Sequence, residues 1–425
     1  MRKATATTDP EAGCRERGGT ACNPGDTLKS GWQRKQISEI ARHSLGKMLD
    51  KAKNKGVSRP YLRNLNVRWF EFDLSDLLEM RFLPTEEAKY SVAKGDLVIC
   101  EGGYPGRAAI WEWDEPIHFQ KALHRVRFHQ PQHAKWCLYY LRARDLDGTL
   151  SRQFSGTGIQ HFTGEALARF ELPLPPLPDV QRIVGILDAA FESIATAKDN
   201  AEKNLQNARA LFESYLQSVF TQRGEGWVDK RLGDLVTFRN GINFTRSSRG
   251  DSVKIVGVRD FQRNYWAPLD DLETVTTDGA LPDLDMLRES DLLFVRSNGN
   301  MDLIGRSLLV GPISGRVTHS GFTIRARLNR GDVMPRYLCH FLKSPSVRRE
   351  MVDGGIGTNI KSLNQGTLSA LAIPLPSAAE QARIVDQLEA IDLETHGLES
   401  IYQQKLAALD ELKKSLLHQA FAGGL

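Results

Sequence analysis

Between Val180 and Phe220 the apolar residues Ile183, Leu187, Ala190, Ile194, Ala197, Ala201, Ala208, Leu211, Tyr215 and Val219 return at alternating steps of four and three, broken only at Asn204, with Leu205 beside it. A period of three and a half predicts a helix of about 40 residues that lies lengthwise on another helix. At about 1.5 Å per residue it would extend roughly 60 Å, a length that suits a spacer or assembly element better than a core helix. A second stripe runs from Glu380 to Phe421 through Ile384, Leu388, Ile391, Leu398, Tyr402, Leu409, Leu412, Leu416 and Ala420. Shifted by 201 residues, the two stretches align without a gap: Arg182-Ile183-Val184 falls on Arg383-Ile384-Val385, Leu187 on Leu388, Leu211 on Leu412 and Phe220 on Phe421. Pro173-Leu174-Pro175 and Pro374-Leu375-Pro376 give each helix a rigid lead-in. The chain is an internal duplication, so its fold is built twice.

The repeat extends into the segments before each helix. At an offset of 195, Trp32 falls on Trp227, Lys35 on Lys230, Ile37 on Leu232 and Ile40 on Leu235. Tyr61 to Val67 and Lys254 to Asp260 alternate like half-buried strands. Gly95 to Cys100 and Ser290 to Val295 are apolar runs too short for a helix and read as buried strands. A glycine-containing loop follows each, Glu101 to Arg107 and Arg296 to Asn300 with Gly305-Arg306 beyond it. Further on, His118 aligns with His319, Trp136 with Tyr337 and Tyr140 with Phe341 at 201, and Ser155–Leu167 parallels Gly355–Leu368. The resulting class is α+β: a domain over 31–178, a long helix over 179–222, a second domain over 223–376 and a second long helix over 377–425. Residues 1–30 have almost no large apolar side chains and read as a disordered tail or an overlong start.

Composition narrows the function. No apolar run approaches a membrane span, and the N-terminus lacks the apolar core of a signal peptide, so no membrane is expected. Cys14, Cys22, Cys100, Cys137 and Cys339 are odd in number and scattered without a CxxC, which fits a reduced cytoplasm. The net charge of +4 is unevenly shared: four basic and five acidic residues over 180–220, and four basic and eight acidic over 380–421, leave +9 for the remainder. Acidic helices with basic lobes suggest that the lobes meet a polyanion. Catalysis is not indicated. There is no phosphate-binding G-x-x-x-x-G-K-[ST], no G-x-G-x-x-G opening a helix, no [DN]-P-P-[YFW] and no metal-nuclease pairing around Pro282-Asp283. His129, His133 and Cys137 are spaced by four as ligands on one helix face would be, yet Pro131 interrupts them and the second half has no counterpart. A helix from Gln132 to Arg142 that buries Trp136 and Tyr140 is the reading preferred, and no metal is expected.

The loops carry the candidate binding residues. Arg, Asn and Gln form paired hydrogen bonds with base edges, whereas Lys, Thr and Ser suit phosphates. In the first half these are Arg63, Asn64, Arg107, Thr157, Gln160 and His161; in the second, Arg239, Asn240, Arg259, Arg296, Asn298, Asn300, Thr358, Asn359 and Lys361. Recurrence of such loops at matching places in two divergent copies weighs against ordinary polar turns. The helix seam is expected at Ile183, Leu187, Ile194, Leu211 and Tyr215 on one helix and at Ile384, Leu388, Ile391, Leu398, Leu409 and Leu416 on the other.

Leu172-Pro173-Leu174-Pro175 with Arg182-Ile183-Val184, Ile373-Pro374-Leu375-Pro376 with Glu380-Gln381 and Arg383-Ile384-Val385, and the loop segment Gly95 to Trp111 together resemble the specificity subunit of a type I restriction–modification system. The resemblance covers about residues 31–425. It departs at Asp179-Val180, where the family usually has Glu-Gln and where a surface contact is at stake, and in the long N-terminal segment. It implies two target-recognition domains in a pseudo-twofold arrangement, separated by two long helices that form an antiparallel coiled coil. Each domain would read one half of a split double-stranded DNA site. The helices would dock two methyltransferase (M) subunits, joined by restriction (R) subunits, and S-adenosylmethionine, ATP and Mg2+ would belong to those partners. A stand-alone modification enzyme is disfavoured by the missing motifs, and an adapter that never touches DNA leaves the duplicated basic lobes unexplained.

Overall fold

The computed structural model describes residues 29–425 except 51, 246, 263 and 355–361, so almost all of the expected N-terminal tail lies outside the described residues. The chain divides into two compact units, residues 1–199 with 406–425 and residues 200–405.

The first unit begins with β1 (Gln33–Gln36), β2 (Ala41–Leu45), β3 (Val57–Leu62), β4 (Leu78–Phe82) and β5 (Ser91–Val92). It continues with β6 (Leu97–Cys100), β7 (Ala108–Ile110), β8 (Ile117–Phe119), β9 (Leu123–Phe128) and β10 (Glu171–Leu174). An antiparallel sheet in the order β2-β9-β6-β7 packs beside a second sheet, β4-β3-β8-β5, in which β3 and β8 are parallel; β1 pairs separately with β10. Leu97-Val98-Ile99-Cys100 is apolar throughout because both faces of β6 are covered. Leu97 and Ile99 enter the core shared with the helices, while Val98 and Cys100 enter the core between the sheets. Helix α1 (Gln132–Leu146) follows β9 and buries Trp136 and Tyr140 as expected. The Trp136 indole donates to the Pro173 carbonyl at 2.7 Å, which fixes the proline lead-in against the helix.

The second unit repeats the plan with β11 (Val228–Arg231), β12 (Val236–Asn240), β13 (Ser252–Val256), β14 (Glu273–Thr276) and β15 (Leu292–Val295). Then come β16 (Ser307–Leu309), β17 (Val317–His319), β18 (Thr323–Leu328) and β19 (Ala372–Leu375). Its sheets are β12-β18-β15-β16, β14-β13-β17 and β11-β19. Leu292 and Phe294 face the helical core, and Leu293 and Val295 face the second sheet, as in the first unit. Between the two sheets and β19 lie α3 (Pro335–Lys343) and α4 (Pro345–Asp353), numbered after the long helix α2 (Leu177–Thr221); Tyr337 and Phe341 of α3 are buried. Both expected strands near residues 61 and 254 end early, at Leu62 and Val256. Asn64–Asn66 and Val258–Asp260 are helical turns in which Asn66 or Asp260 accepts from the backbone at residue 63 or 257.

A buried aspartate holds each sheet's rim. Asp96 accepts from the Ala93 amide and takes a two-pronged bond from Arg127 at 2.7 and 2.6 Å; Asp291 does the same with the Arg288 amide and Arg327. The residue before each is left-handed: Gly95 at φ +88° and Ser290 at φ +71°.

The long helices α2 and α5 (Ala378–Ala422) have 45 residues each. In the first unit Val180, Ile183 and Leu187 of α2 join Leu417 and Ala420 of α5 in one core, and Lys198 meets Asp410 at 2.7 Å. In the second, Leu216 and Phe220 join Ile384, Val385 and Leu388, and Arg209 meets Glu399 at 2.8 Å. Residue numbers rise along one helix as they fall along the other, so the pair is antiparallel within each unit. Ile183, Leu187, Ile194, Ile384 and Leu388 are buried, and Tyr215, Ile391, Leu409 and Leu416 are half-buried. The expected seam is corrected at two positions, Leu211 (55% exposed) and Leu398 (39%). The covered positions on α2 run Ala201, Leu205, Ala208, Phe212, Leu216 and Phe220, and on α5 Thr395 is buried while Glu399 and Tyr402 are half-buried. A helix of 3.6 residues per turn drifts against a strict repeat of three and a half, and here successive steps of four shift the seam past Leu211 and Leu398.

The departure at Asp179-Val180 is also more than a surface matter. Gln381, the counterpart of Val180, is 1% exposed. Its Oε1 accepts from the Met334 amide at 2.8 Å, and its Nε2 donates to the Asp332 and Pro376 carbonyls at 3.1 Å each. In the first unit the corresponding amide, His133, is satisfied locally by the Gln130 carbonyl at 3.0 Å, and Val180 is free to be apolar.

Candidate nucleic-acid interface

At one end of the first unit's sheets, three loops are bound to one another by backbone and amide hydrogen bonds. The Arg63–Asn66 turn leaves β3, the Glu101–Arg107 loop joins β6 to β7, and Ser155 and His161 close a five-residue loop by exchanging backbone bonds at 2.9 Å. Asn64 Nδ2 donates to the Gly102 carbonyl at 3.2 Å, Arg107 Nη2 donates to the Asn64 carbonyl at 2.8 Å, and the Phe162 amide donates to the Glu101 carbonyl at 2.7 Å. The β8–β9 turn joins them through the Glu101 amide, which donates to the Ala122 carbonyl at 2.9 Å. Position 103 suits only glycine: the Gly103 backbone is left-handed at φ +78°, and a Cβ there would lie 2.1 Å from Asn64 Nδ2.

The second unit carries the same frame. Val258–Asp260 replaces the first turn, Arg296–Arg306 the second loop, and the Leu363 amide donates to the Arg296 carbonyl as Phe162 does to Glu101. Gly106 and Gly305, both left-handed, close the two glycine loops by donating to Cys100 and Val295. The loop has seven residues in the first unit (101–107) and eleven in the second (296–306). Arg296 replaces Glu101, and Phe322, whose carbonyl accepts from the Arg296 amide, replaces Ala122, whose carbonyl accepts from the Glu101 amide, so equivalent scaffolds present different side chains.

The expected binding residues are placed in three ways. Thr157, Gln160, His161, Asn240, Arg259 and Asn300 are exposed; Arg63, Asn64, Arg107, Arg239, Arg296 and Asn298 are half-buried; Thr358, Asn359 and Lys361 lie outside the described residues. Several arginines are engaged by the protein itself. Arg63 pairs with Asp76 at 2.7 Å, Arg239 with Asp285, and Arg259 with Asp260 and Glu273 at 3.4 and 3.6 Å. Arg107 braces the Asn64 turn and stacks on Tyr104, its guanidinium 5.2 Å from the ring centre. Asn298 and Asn300 turn their carbonyl oxygens inward to the Asn300 and Asp302 amides. Asn240 accepts from Gln365 Nε2 at 3.1 Å, so an asparagine–glutamine pair is held beside the loop. Sequence reasoning passed over exposed apolar residues on these loops, among them Ile159 (75% exposed) and Phe322 (59%). Their signal was an apolar side chain in a Gly, Ser or Thr turn too short to belong to a strand.

The charge at both ends comes from arginine and lysine. Burial, opposed only by the Phe162 carbonyl, lowers His124 to about 4, and burial beside Arg325 lowers His319 to about 3; both are neutral at pH 7. Burial raises the Cys100 thiol to about 11, so it stays protonated beneath its loop. Among the described residues no group of three His, Cys, Asp or Glu could hold a metal ion, and no helix is long and apolar enough to cross a membrane. Of His129, His133 and Cys137, whose spacing by four was weighed against a plain helix, His133 and Cys137 are buried in α1.

A family model, the type I restriction modification DNA specificity domain, matches residues 29–206 and 322–407. The chain is 23% identical over 396 residues to the type I restriction enzyme StySPI specificity subunit of Salmonella potsdam, covering 86% of this chain and 82% of that one. It is 23% identical over 386 residues to the EcoKI specificity subunit of Escherichia coli K12, with the same coverage of 86% and 82%. Among solved structures, it matches a chain from work on complex assembly and conformational transition of the type I R-M system with a TM-score of 0.76 at 18% identity, covering 94% of this chain and 100% of that one. The HsdS subunit from Thermoanaerobacter tengcongensis matches with a TM-score of 0.59 at 18% identity, over 94% and 98% of the two chains. At such identities the structures speak for the fold alone. The family model spans more than half of the sequence, and the chain belongs to the family of type I restriction–modification DNA specificity subunits.

Proposed function

We propose that each unit reads one half of a split, asymmetric sequence in double-stranded DNA, and that the chain itself is non-catalytic. The observation that carries this reading is a loop frame built twice with the same backbone hydrogen bonds, on which the side chains differ: Glu101 against Arg296, Ala122 against Phe322, and seven residues against eleven. Two readers of different sequences need that combination. Asn240, Gln365, Asn298 and Gln160 offer base-edge contacts, while lysines and the unpaired faces of arginines supply the salt-dependent part. The long helices set the distance between half-sites, near one duplex turn or roughly 34 Å in twofold readers. They also dock two methyltransferase subunits, which restriction subunits join; Leu393, Leu398 and Ile401 are exposed on α5 and suit such a contact. S-adenosylmethionine, ATP and Mg2+ belong to those partners.

A mobility-shift titration of the full chain on duplex DNA tests the reading. Retardation that weakens steeply as salt rises supports it, and no retardation at any salt leaves only an adapter role. Methyl transfer by the purified chain alone would overturn the non-catalytic assignment.

A further inference from the structure

Phe322 is 59% exposed, yet its backbone is fixed on every side. It occupies the turn between β17 and β18. The Phe322 carbonyl accepts from the Arg296 amide at 2.8 Å, and the Gly321 and Thr323 amides donate to Ile242 and Ser320 at 2.7 and 2.8 Å. The Phe322 amide donates to Ser320 Oγ at 3.3 Å. A large apolar side chain on a free loop can fold back onto the protein, but this turn has no such freedom. The exposed ring rises from a backbone that the Arg296 and Ser297 amides hold, and Asn240, bonded to Gln365, pairs with Ile324 two residues further along the strand; Arg, Ser, Asn and Gln are all types that contact bases or phosphates. The equivalent position in the first unit, whose carbonyl accepts from the Glu101 amide as that of Phe322 does from Arg296, is Ala122, so the aromatic belongs to what distinguishes the two faces, not to the shared frame.

Resting on the reading of each unit as a half-site reader, we infer that Phe322 is a specificity-determining residue of the second unit that packs against the C5-methyl of a thymine in the major groove. In that groove the methyl is the one apolar group that tells thymine from the other bases, and an apolar side chain among hydrogen-bonding ones is the complement it needs. A wedge between base steps would also use an aromatic ring, but the polar neighbours here are those of edge reading.

The test uses the full chain and a duplex bearing the split motif obtained by mapping methylation in a host. Each thymine of the second half-site is replaced singly by deoxyuridine, which removes only the methyl. For the native chain one replacement should weaken binding roughly four-fold, the factor expected for one buried methyl. Phe322→Ala should bind the unmodified duplex more weakly by at least that factor and be indifferent to the same replacement. Phe322→Leu should recover part of the response, and replacements in the first half-site should affect both proteins alike. Equal responses of Phe322→Ala and the native chain to every deoxyuridine overturn the inference while leaving the half-site reading intact. A native chain that fails to prefer the motif over scrambled duplex overturns the half-site reading itself.

Discussion

Gln381→Val places in the second unit the residue that the first unit carries at the same position, Val180. In the second unit the change removes an acceptor from the Met334 amide and a donor from the Asp332 and Pro376 carbonyls, all around a side chain that is 1% exposed. A buried amide left without a partner costs about 1–3 kcal/mol, and each neutral carbonyl bond about 0.5–1.5 kcal/mol. The branched apolar side chain returns about 1 kcal/mol by burial. The net loss should be about 2–4 kcal/mol, confined to the second unit. Because the change touches one of two compact units, hydrogen exchange, which reports each amide by itself, is a better assay than one melting curve. Amides of α3 and β19 should exchange about 30- to 1,000-fold faster, while those of α1 and β10 should not change. Gln381→Glu keeps the acceptor and loses the donor, and should fall between. A loss below about 0.5 kcal/mol, or equal acceleration in both units, would refute the assignment of Gln381 as the tie between α5 and α3.

Other substitutions probe other parts of the frame. Leu388→Asp buries a carboxylate in a fully covered seam position and should cost more than about 4 kcal/mol, read as loss of soluble, folded chain on expression; Leu398→Asp, on an exposed position, should leave folding intact. Ser290→Gly relieves a left-handed backbone that the first unit assigns to Gly95, and should stabilise the second unit by about 0.5–1 kcal/mol in denaturant unfolding. His340 is buried with neither ring nitrogen hydrogen-bonded, and burial, then Lys343 and Arg336, lower it to about 3. Because its folded value is depressed, its neutral form is at full advantage above the unfolded value near 6.5, and stability is lost as pH falls from there toward 3. His340→Phe should therefore remove up to about 2 kcal/mol of the stability difference between pH 7 and pH 5, measured by unfolding at both.

The parts of the fold that were legible in sequence are those where one residue type answers to one environment. Leu97 to Cys100 and Leu292 to Val295 are apolar at every position because each strand has two covered faces, and no other arrangement suits so short a run. The helix stripes were legible for the same reason, but a repeat of three and a half cannot register a local shift of phase, so Leu211 and Leu398 were misplaced by one position. Gln381 was unreadable because a polar residue in a helix's first turn looks solvent-facing until the loop it satisfies is in place. At the candidate interface, residue type located the loops but not the direction of each side chain. Arg63, Arg107 and Arg239 are as basic as any DNA contact, and intramolecular acceptors that lie 13 to 46 residues away engage them. Phe322 and Ile159 were missed because apolar residues were sought only in cores and seams.

The central claim is that two differently faced readers are kept apart by helices whose length sets the gap. Mapping methylated bases across the genome of a host that carries this chain with its modification partners, once with the native helices and once with α2 and α5 each lengthened by one turn, tests it most directly. The account predicts a motif of two defined halves around an unspecified gap, with the lengthened protein keeping both halves and changing the gap. A single uninterrupted motif, or a gap that stays the same in both proteins, would contradict it.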